Sequence, residues 1–211
     1  MCRHHLLIFT RYPEAGITKT RLIPQLGAEG AARLQKKLAE GIIFQAKVLA
    51  EKFQIRTTVH YLGGDREKMA SWLGPLEYQA QVAGDLGLRM QAAFAHAFAA
   101  GVEKAVLIDS DIPDINAALL ADAFVALESA EVVIGRSQDG GYYLIGLRAE
   151  AAERLFPLVF EQVPWSTPEV FAITCGRLAE AACNPAILPT LRDIDTPDDL
   201  DFAREKGLLR P

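Results

Sequence analysis

Cysteine is scarce in this chain. Only Cys2, Cys175 and Cys183 occur, an odd number without metal-ligand spacing, so neither a zinc scaffold nor a disulfide framework is expected. Cys2 reads as a small apolar residue near a strand end. Long hydrophobic runs are lacking too. The N-terminal "MCRHHLLIF" is too short for a signal peptide or a membrane span and reads as strand. With the cysteine usage, this gives the expectation of a cytoplasmic protein. Positive charge is in deficit, 22 Lys and Arg against 27 Asp and Glu for a net charge of -5. A duplex-binding domain needs a broad basic face, so a nucleic-acid polymer is not an expected partner, whereas a nucleotide needs only two or three local cations. The four histidines, His4, His5, His60 and His96, form no H-x-x-x-H grouping. His60 and His96 fall within a strand and a helix, where packing is their expected role. No G-x-S-x-G elbow, G-x-G-x-x-G fingerprint or Walker A spacing is present, which removes the usual serine-hydrolase, dinucleotide and P-loop readings. No repeat, low-complexity tract or linker divides the chain, and one domain over residues 1–211 is expected.

What is present is ordinary globular material, 50% hydrophobic and 23% charged, patterned as strands alternating with helices. "HLLIFT", "IRTTVHYL", "KAVLIDSDIP", "EVVIGRS", "GYYLIGL" and "AILPTL" read as strands. Between them, residues from about Gly27 to Phe53 carry apolar side chains at helical spacing. Further helices are predicted over Arg66 to Leu73, "LRMQAAFAHAFAAG", "NAALLADAFVALES" with Asn116 as a cap, Thr167 to Ala182, and Pro197 to Lys206. The expected fold is α/β, a three-layer Rossmann-like sandwich around a mostly parallel mixed sheet. Ligands in such folds bind beyond the carboxyl ends of the strands.

Several clusters fall at those ends. "TRYPEAGITKTRL" follows the first strand and presents Arg11, Lys19 and Arg21 against one local acid, Glu14. With Thr10 before it and Gly16 shaping the turn, the loop reads either as a polyphosphate cradle or as a solvated loop paired with nearby carboxylates. Asp109 and Asp111 lie two apart after a strand and project to one side, an arrangement that a hard divalent ion neutralises. Asp193 and Asp195 precede the last helix on extended chain. Both could reach a ligand, or one could cap the helix, while Asp198 and Asp199 suit its first turn. "QVAGDLGLRM" sets Gln81 and Gly84 before a helix that Asp85 could cap; Gln81 has the amide for reading a nucleobase edge. "SQDGGYYLIGL" places Asp139 at the mouth of a Gly140–Gly141 turn, followed by Tyr142. There Asp139 would bind a substrate hydroxyl or act as a base. Trp165, on a proline-bounded loop, stacks on a sugar or base or else fills core.

In this order, "FTRYPEAGITKTRL", "QVAGDLGLRM", "DSDIPDI", "QDGGYYLIGL" and "DIDTPDDL" resemble the bacterial glycosyltransferase-A-like family of nucleotide-diphospho-sugar transferases. Some members of that family are named as arsenosugar-biosynthesis glycosyltransferases. The chain is more distantly similar to phospholactate and molybdenum-cofactor guanylyltransferases. The resemblance implies a nucleotide on the N-terminal half of the sheet, phosphates on Lys19 and Arg21, and the base near Gln81, Gly84 and Asp85. It also implies Mg²⁺ or Mn²⁺ on Asp111, with Asp195 as second ligand and Asp193 as the competing choice. Lys19, Arg21 and Asp139 are the expected catalytic residues, and Asp139, Gly140, Gly141, Tyr142 and Trp165 the expected contacts to a small-molecule acceptor. The loop lacks the tight "GGxGTR" form of nucleotidyltransferases, and no proline follows the first glycine of "GRSQDGGYY". The family naming makes glycosyl transfer from a nucleoside-diphosphate sugar the leading expectation, although Arg11, Lys19 and Arg21 slightly favour the more highly charged pyrophosphate of nucleotidyl transfer. Nucleotidyl transfer to a phosphorylated small molecule is the alternative, and a non-catalytic nucleotide-binding module comes third.

Overall fold

A computed structural model describes residues 3–208, so the reading of Cys2 lies outside the described residues. Seven strands form one sheet: β1 (His4–Arg11), β2 (Arg56–Leu62), β3 (Glu77–Ala80), β4 (Lys104–Asp109), β5 (Val132–Ser137), β6 (Tyr142–Arg148) and β7 (Ala186–Leu191). Their spatial order is β3-β2-β1-β4-β6-β5-β7. β6 pairs antiparallel with both β4 and β5, and the other pairings are parallel. The helices are α1 (Ile23–Phe53), α2 (Arg66–Leu73), α3 (Leu86–Ala99), α4 (Ala117–Ala126), α5 (Ala152–Val159), α6 (Val170–Glu180) and α7 (Pro197–Glu205). No helix among the described residues is long and apolar enough to cross a membrane.

The strand period of two makes the sheet a divider between two cores. Leu6 and Ile8 of β1 pack with Ile42 and Leu49 of α1, Met69 of α2 and Phe124 of α4. Leu7 and Phe9 face the other way, onto Phe94 of α3, Leu155 of α5 and Leu178 of α6. Both faces are covered, which explains the near-continuous apolar strands. A smaller cluster joins Leu22, Leu34 and Leu38 to Ile194 and Leu200, seating α7 against the start of α1.

Two elements were not anticipated. β3 is a four-residue edge strand whose residues are all at least partly exposed, so it carries no hydrophobic alternation. α5 contains Pro157, which lacks the N–H that would bond the carbonyl four residues back and reads as a breaker. The expected helix start at Gly27 coincides with a break inside α1, where Gly27 adopts φ 70°, ψ 165° and a short turn precedes it. Neither Asp193 nor Asp195 caps α7. Thr196 does, in a capping box with Asp199.

Candidate active site

The carboxyl ends of β1, β2, β3, β4, β5 and β7 and the start of the antiparallel β6 meet along one edge of the sheet. Two adjoining cavities open there, of about 230 Å³ and 360 Å³, with Phe9, Leu86, Asp109 and Asp195 in the walls of both. Their chemistry is opposite.

The larger cavity is cationic. Arg11, Lys19 and Arg21 line it, delivered by a loop that braces itself. The Thr18 hydroxyl donates to the Tyr12 carbonyl at 3.1 Å and accepts from the Glu14 N–H at 3.1 Å. Arg89, from the first turn of α3, adds a fourth cation, and its Nε is buried without a hydrogen-bond partner. Sequence reasoning missed Arg89. The available signal was its position one turn after the Gly84–Gly87 joint, on the helix end that faces the strand termini. Gln81 lines the same cavity, with its Nε2 donating to the His60 carbonyl at 3.1 Å. Thr10 reaches this wall too, but its hydroxyl accepts from Ser110 Oγ at 2.8 Å, and Gln35 Nε2 donates to Ser110 Oγ at 3.2 Å. That buried network ties α1 to the ends of β1 and β4 beneath the site.

The smaller cavity is acidic on one wall and apolar on the other. Asp109, Asp111, Asp139, Asp193 and Asp195 face Phe9, Leu86, Met90, Tyr142 and Trp165, and neither Lys nor Arg lines it. Asp139 Oδ1 accepts from the Gly141 N–H at 2.9 Å, closing the turn between β5 and β6. Asp193 accepts from Ser137 Oγ at 2.9 Å. Burial and the charge of Asp139 push the Asp193 carboxyl up to about 6, and the Ser137 hydrogen bond only partly offsets them. Asp109, at the end of β4, is exposed to both cavities. Desolvation by the surrounding protein, and then Asp111, raise its pKa above the ordinary carboxylate range. Burial likewise pushes the Tyr142 hydroxyl up, and its ring meets Trp165 edge-on at 6.0 Å.

Lys19 joins the two halves. Its Nζ lies 2.9 Å from Asp111 Oδ2 and 2.9 Å from Asp195 Oδ1, with the side chain only 3% exposed. Burial alone would lower its pKa; Asp111 and then Asp195 outweigh that and hold it raised and charged. The two acids are brought together by backbone: the Ile194 N–H donates to the Asp111 carbonyl at 3.1 Å. The pair Asp193 and Asp195 thus divides, one towards Ser137 and one towards Lys19.

Four expected residues stand outside both cavities. Asp85 caps α3, accepting from the Leu88 N–H at 2.8 Å. Gly84 and Gly16 provide turns at φ 131° and 82°. Gly140 serves packing: at φ 96° it lies so close to Pro168 that a Cβ would come within 2.1 Å of the Pro168 carbonyl oxygen.

The donor set suits a hard divalent ion in one respect. Asp111 and Asp195 already converge on a single cationic atom, and Mg²⁺ commonly takes one or two carboxylates, keeping its other positions for water and phosphate oxygens. Among the described residues no group of three acids, histidines or cysteines is arranged to hold a metal by itself.

Residues 45–167 match the profile of a bacterial family, DUF2064, described as an uncharacterized protein conserved in bacteria. The chain belongs to that family. The matched segment takes in Asp109, Asp111, Asp139 and Trp165, and leaves the Lys19 loop and Asp195 outside it. A crystal structure from Desulfovibrio desulfuricans G20, of a protein assigned as a nucleotide-diphospho-sugar transferase, is 32% identical. The likeness covers 98% of this chain and 88% of that one, with a TM-score of 0.88. Family and structure agree with the resemblance read from the five motifs. Two further structures share the fold alone. One is 4-diphosphocytidyl-2C-methyl-D-erythritol synthase from Anaerococcus prevotii DSM 20548, 11% identical over 98% of this chain and 96% of that one, TM-score 0.65. The other is a CMP:2-keto-3-deoxy-manno-octonic acid synthetase in complex with CTP, 12% identical over 97% and 98%, TM-score 0.57. Among curated proteins, none matches the chain.

Proposed function

We propose that this chain is a nucleotide-binding transferase, and that it moves a sugar from a nucleoside-diphosphate sugar to a small acceptor that is not itself anionic. The observation that carries the reading is the division of the cleft. Four cations, Arg11, Lys19, Arg21 and Arg89, line one cavity, while five carboxylates and no cation line the next. A diphosphate belongs in the first. A phosphorylated acceptor in the second would find carboxylates and no Lys or Arg in the walls, which disfavours it relative to an uncharged acceptor.

In this reading the diphosphate lies against the guanidinium groups of Arg11, Arg21 and Arg89, with Gln81 near the base. The sugar carbon sits at the junction of the cavities, close to Asp109 and Asp195. An acceptor hydroxyl held between the Trp165 wall and the Asp139–Asp193 pair forms the new bond to that carbon. The bond from the carbon to the phosphate oxygen breaks, and the hydroxyl proton passes to a carboxylate of the pair. Mg²⁺ or Mn²⁺, held by Asp111 and Asp195, would supply further charge stabilisation for the departing diphosphate. Each cation aimed at that developing charge contributes about 2 to 4 kcal/mol. Nucleotidyl transfer is the second reading. It is favoured by the count of four cations, more than a diphosphate requires, and by the fold shared with two nucleotidyl-transferring enzymes.

A thermal-shift panel of nucleotide sugars and nucleoside triphosphates, with and without Mg²⁺, followed by product analysis, tests this. The expected result is stabilisation by a nucleotide sugar with metal, and release of nucleoside diphosphate in the presence of an uncharged acceptor. Stabilisation by triphosphates alone, with the nucleoside monophosphate transferred to a phosphorylated acceptor and pyrophosphate released, would replace it with nucleotidyl transfer.

A further inference from the structure

Lys19 sits at the point two acids would share with a divalent ion, and the backbone is strained to put it there. The residue adopts φ 47°, ψ 49°, left-handed space that a non-glycine residue occupies at a penalty and keeps when the surroundings enforce it. Here the Tyr12–Glu14–Thr18 hydrogen bonds enforce it from one side. From the other, the ammonium is clamped by Asp111 and Asp195, each at 2.9 Å. Arg11 and Arg21, on the same loop, make no ion pair among the described residues. Only the lysine is turned inward.

Resting on the metal-assisted reading above, we propose that Lys19 is an internal counter-ion that exchanges places with the metal. Without polyphosphate it holds Asp111 and Asp195 together. A divalent cation that arrives with polyphosphate takes over those carboxylates, and the displaced ammonium moves onto the phosphate oxygens. Charge gives the reason. Two carboxylates and one ammonium leave a net charge of about -1. A dication in the ammonium's place neutralises the two carboxylates. The displaced ammonium, still tethered beside them, is then left with about one unit of unpaired positive charge that an anion beside it stabilises. A metal alone must compete with a tethered cation that both carboxylates already bind. A metal with polyphosphate offers the ammonium a new anionic partner within the Arg11–Arg21–Arg89 cavity. Metal and polyphosphate binding are thereby coupled in both directions. The lysine's flexible four-carbon stem permits such a move, whereas a planar guanidinium would be fixed by its geometry.

The test uses Mn²⁺ and inorganic pyrophosphate as probes, so that it does not depend on knowing the base or the sugar. Free Mn²⁺ is counted by electron paramagnetic resonance against wild type, Lys19→Met, and Lys19→Met combined with Asp111→Asn. Pyrophosphate binding is measured by calorimetry with and without Mg²⁺. We expect Lys19→Met to bind Mn²⁺ alone at least about tenfold more tightly than wild type, and Asp111→Asn to abolish the gain. In wild type, Mg²⁺ should raise pyrophosphate affinity by a similar factor, and Lys19→Met should weaken pyrophosphate binding. Should the methionine variant fail to melt cooperatively, Lys19→Gln, which keeps a polar head group without charge, takes its place. The proposal is overturned if removing the charge leaves Mn²⁺ affinity unchanged, or if the gain survives Asp111→Asn. In that case wild type would still bind metal with pyrophosphate, and the metal-assisted reading would stand. Absence of Mn²⁺ binding in every form, together with pyrophosphate binding indifferent to Mg²⁺, would remove both.

Discussion

Arg89 shows how much a single side chain can say once its surroundings are known. Its Nε is buried and unpartnered, an arrangement that costs about 1–3 kcal/mol unless a ligand or water supplies the missing acceptor. Arg89→Gln should therefore weaken nucleotide-sugar binding on the order of tenfold to a hundredfold, the scale of one hydrogen bond to a charged group, with the melting temperature held or raised. Calorimetry and thermal unfolding check both halves. Unchanged affinity would remove Arg89 from the phosphate cavity. The buried histidines act on stability. His5 and His60 are each 3% exposed, and both are lowered from 6.5 to about 4. Burial leads in both cases, followed for His5 by the Arg56 charge and for His60 by His5 itself. Between those values the unfolded chain holds more protons than the folded one. Stability contributed by keeping these rings neutral is thus complete above about pH 6.5 and is lost as pH falls towards 4. Each ring accounts for on the order of 2 to 3 kcal/mol. His60→Gln should flatten the fall in melting temperature across that interval, and an unaltered slope would contradict the assignment.

At the scale of elements, the site depends on how helices are anchored. Asp199 Oδ2 accepts from the Thr196 N–H at 2.7 Å and from the Asp195 N–H at 3.2 Å, while Asp199 Oδ1 accepts from Arg192 Nε at 2.7 Å. The cap of α7 therefore also fixes the backbone that presents Asp195. Asp199→Ala should destabilise the fold by about 1–2 kcal/mol, as loss of a cap does, and should also weaken metal–pyrophosphate binding, which a purely structural cap would leave alone. Calorimetry on the folded variant distinguishes the two. Gly87, in the first turn of α3, makes a second anchor. A Cβ there would stand 2.2 Å from the Phe160 carbonyl oxygen and 2.7 Å from Trp165 Nε1. Gly87→Ala should cost about 1–3 kcal/mol, in line with overpacking, and shift Trp165 fluorescence as the ring is driven out of place. A variant with wild-type melting and emission would contradict this packing.

Across the whole molecule, the sheet and most helices were legible because the central strands are covered on both faces and are written as apolar runs. β3 was not, because it is a four-residue edge strand, too short and too polar to show a run, whereas the edge strand β7, likewise without a buried residue, still reads as "AILPTL". α5 was hidden by Pro157. The clusters at the strand ends were visible as clusters, since Arg11, Lys19 and Arg21 are close in sequence, as are Asp109 and Asp111. Their pairing was not visible. Lys19 meets Asp111 across 92 positions and Asp195 across 176, contacts made only by the parallel order that sets β1 beside β4 and by the backbone bond from Ile194 to Asp111. Charge and spacing suggested phosphates on the Lys19 loop and a metal near Asp109 and Asp111, resemblance narrowed these to Lys19, Arg21 and Asp111, and the geometry adds that Lys19 and Asp111 hold each other.

The most direct test of the account is a crystal structure with Mn²⁺ and the nucleotide sugar that most stabilises the protein, collected to record the manganese anomalous signal. The account predicts one manganese peak between the Asp111 and Asp195 carboxylates. It also predicts the diphosphate against Arg11, Arg21 and Arg89, and the sugar pointing towards Asp139, Asp193 and Trp165. A diphosphate lying among the five carboxylates, or bound away from the cleft, would contradict it.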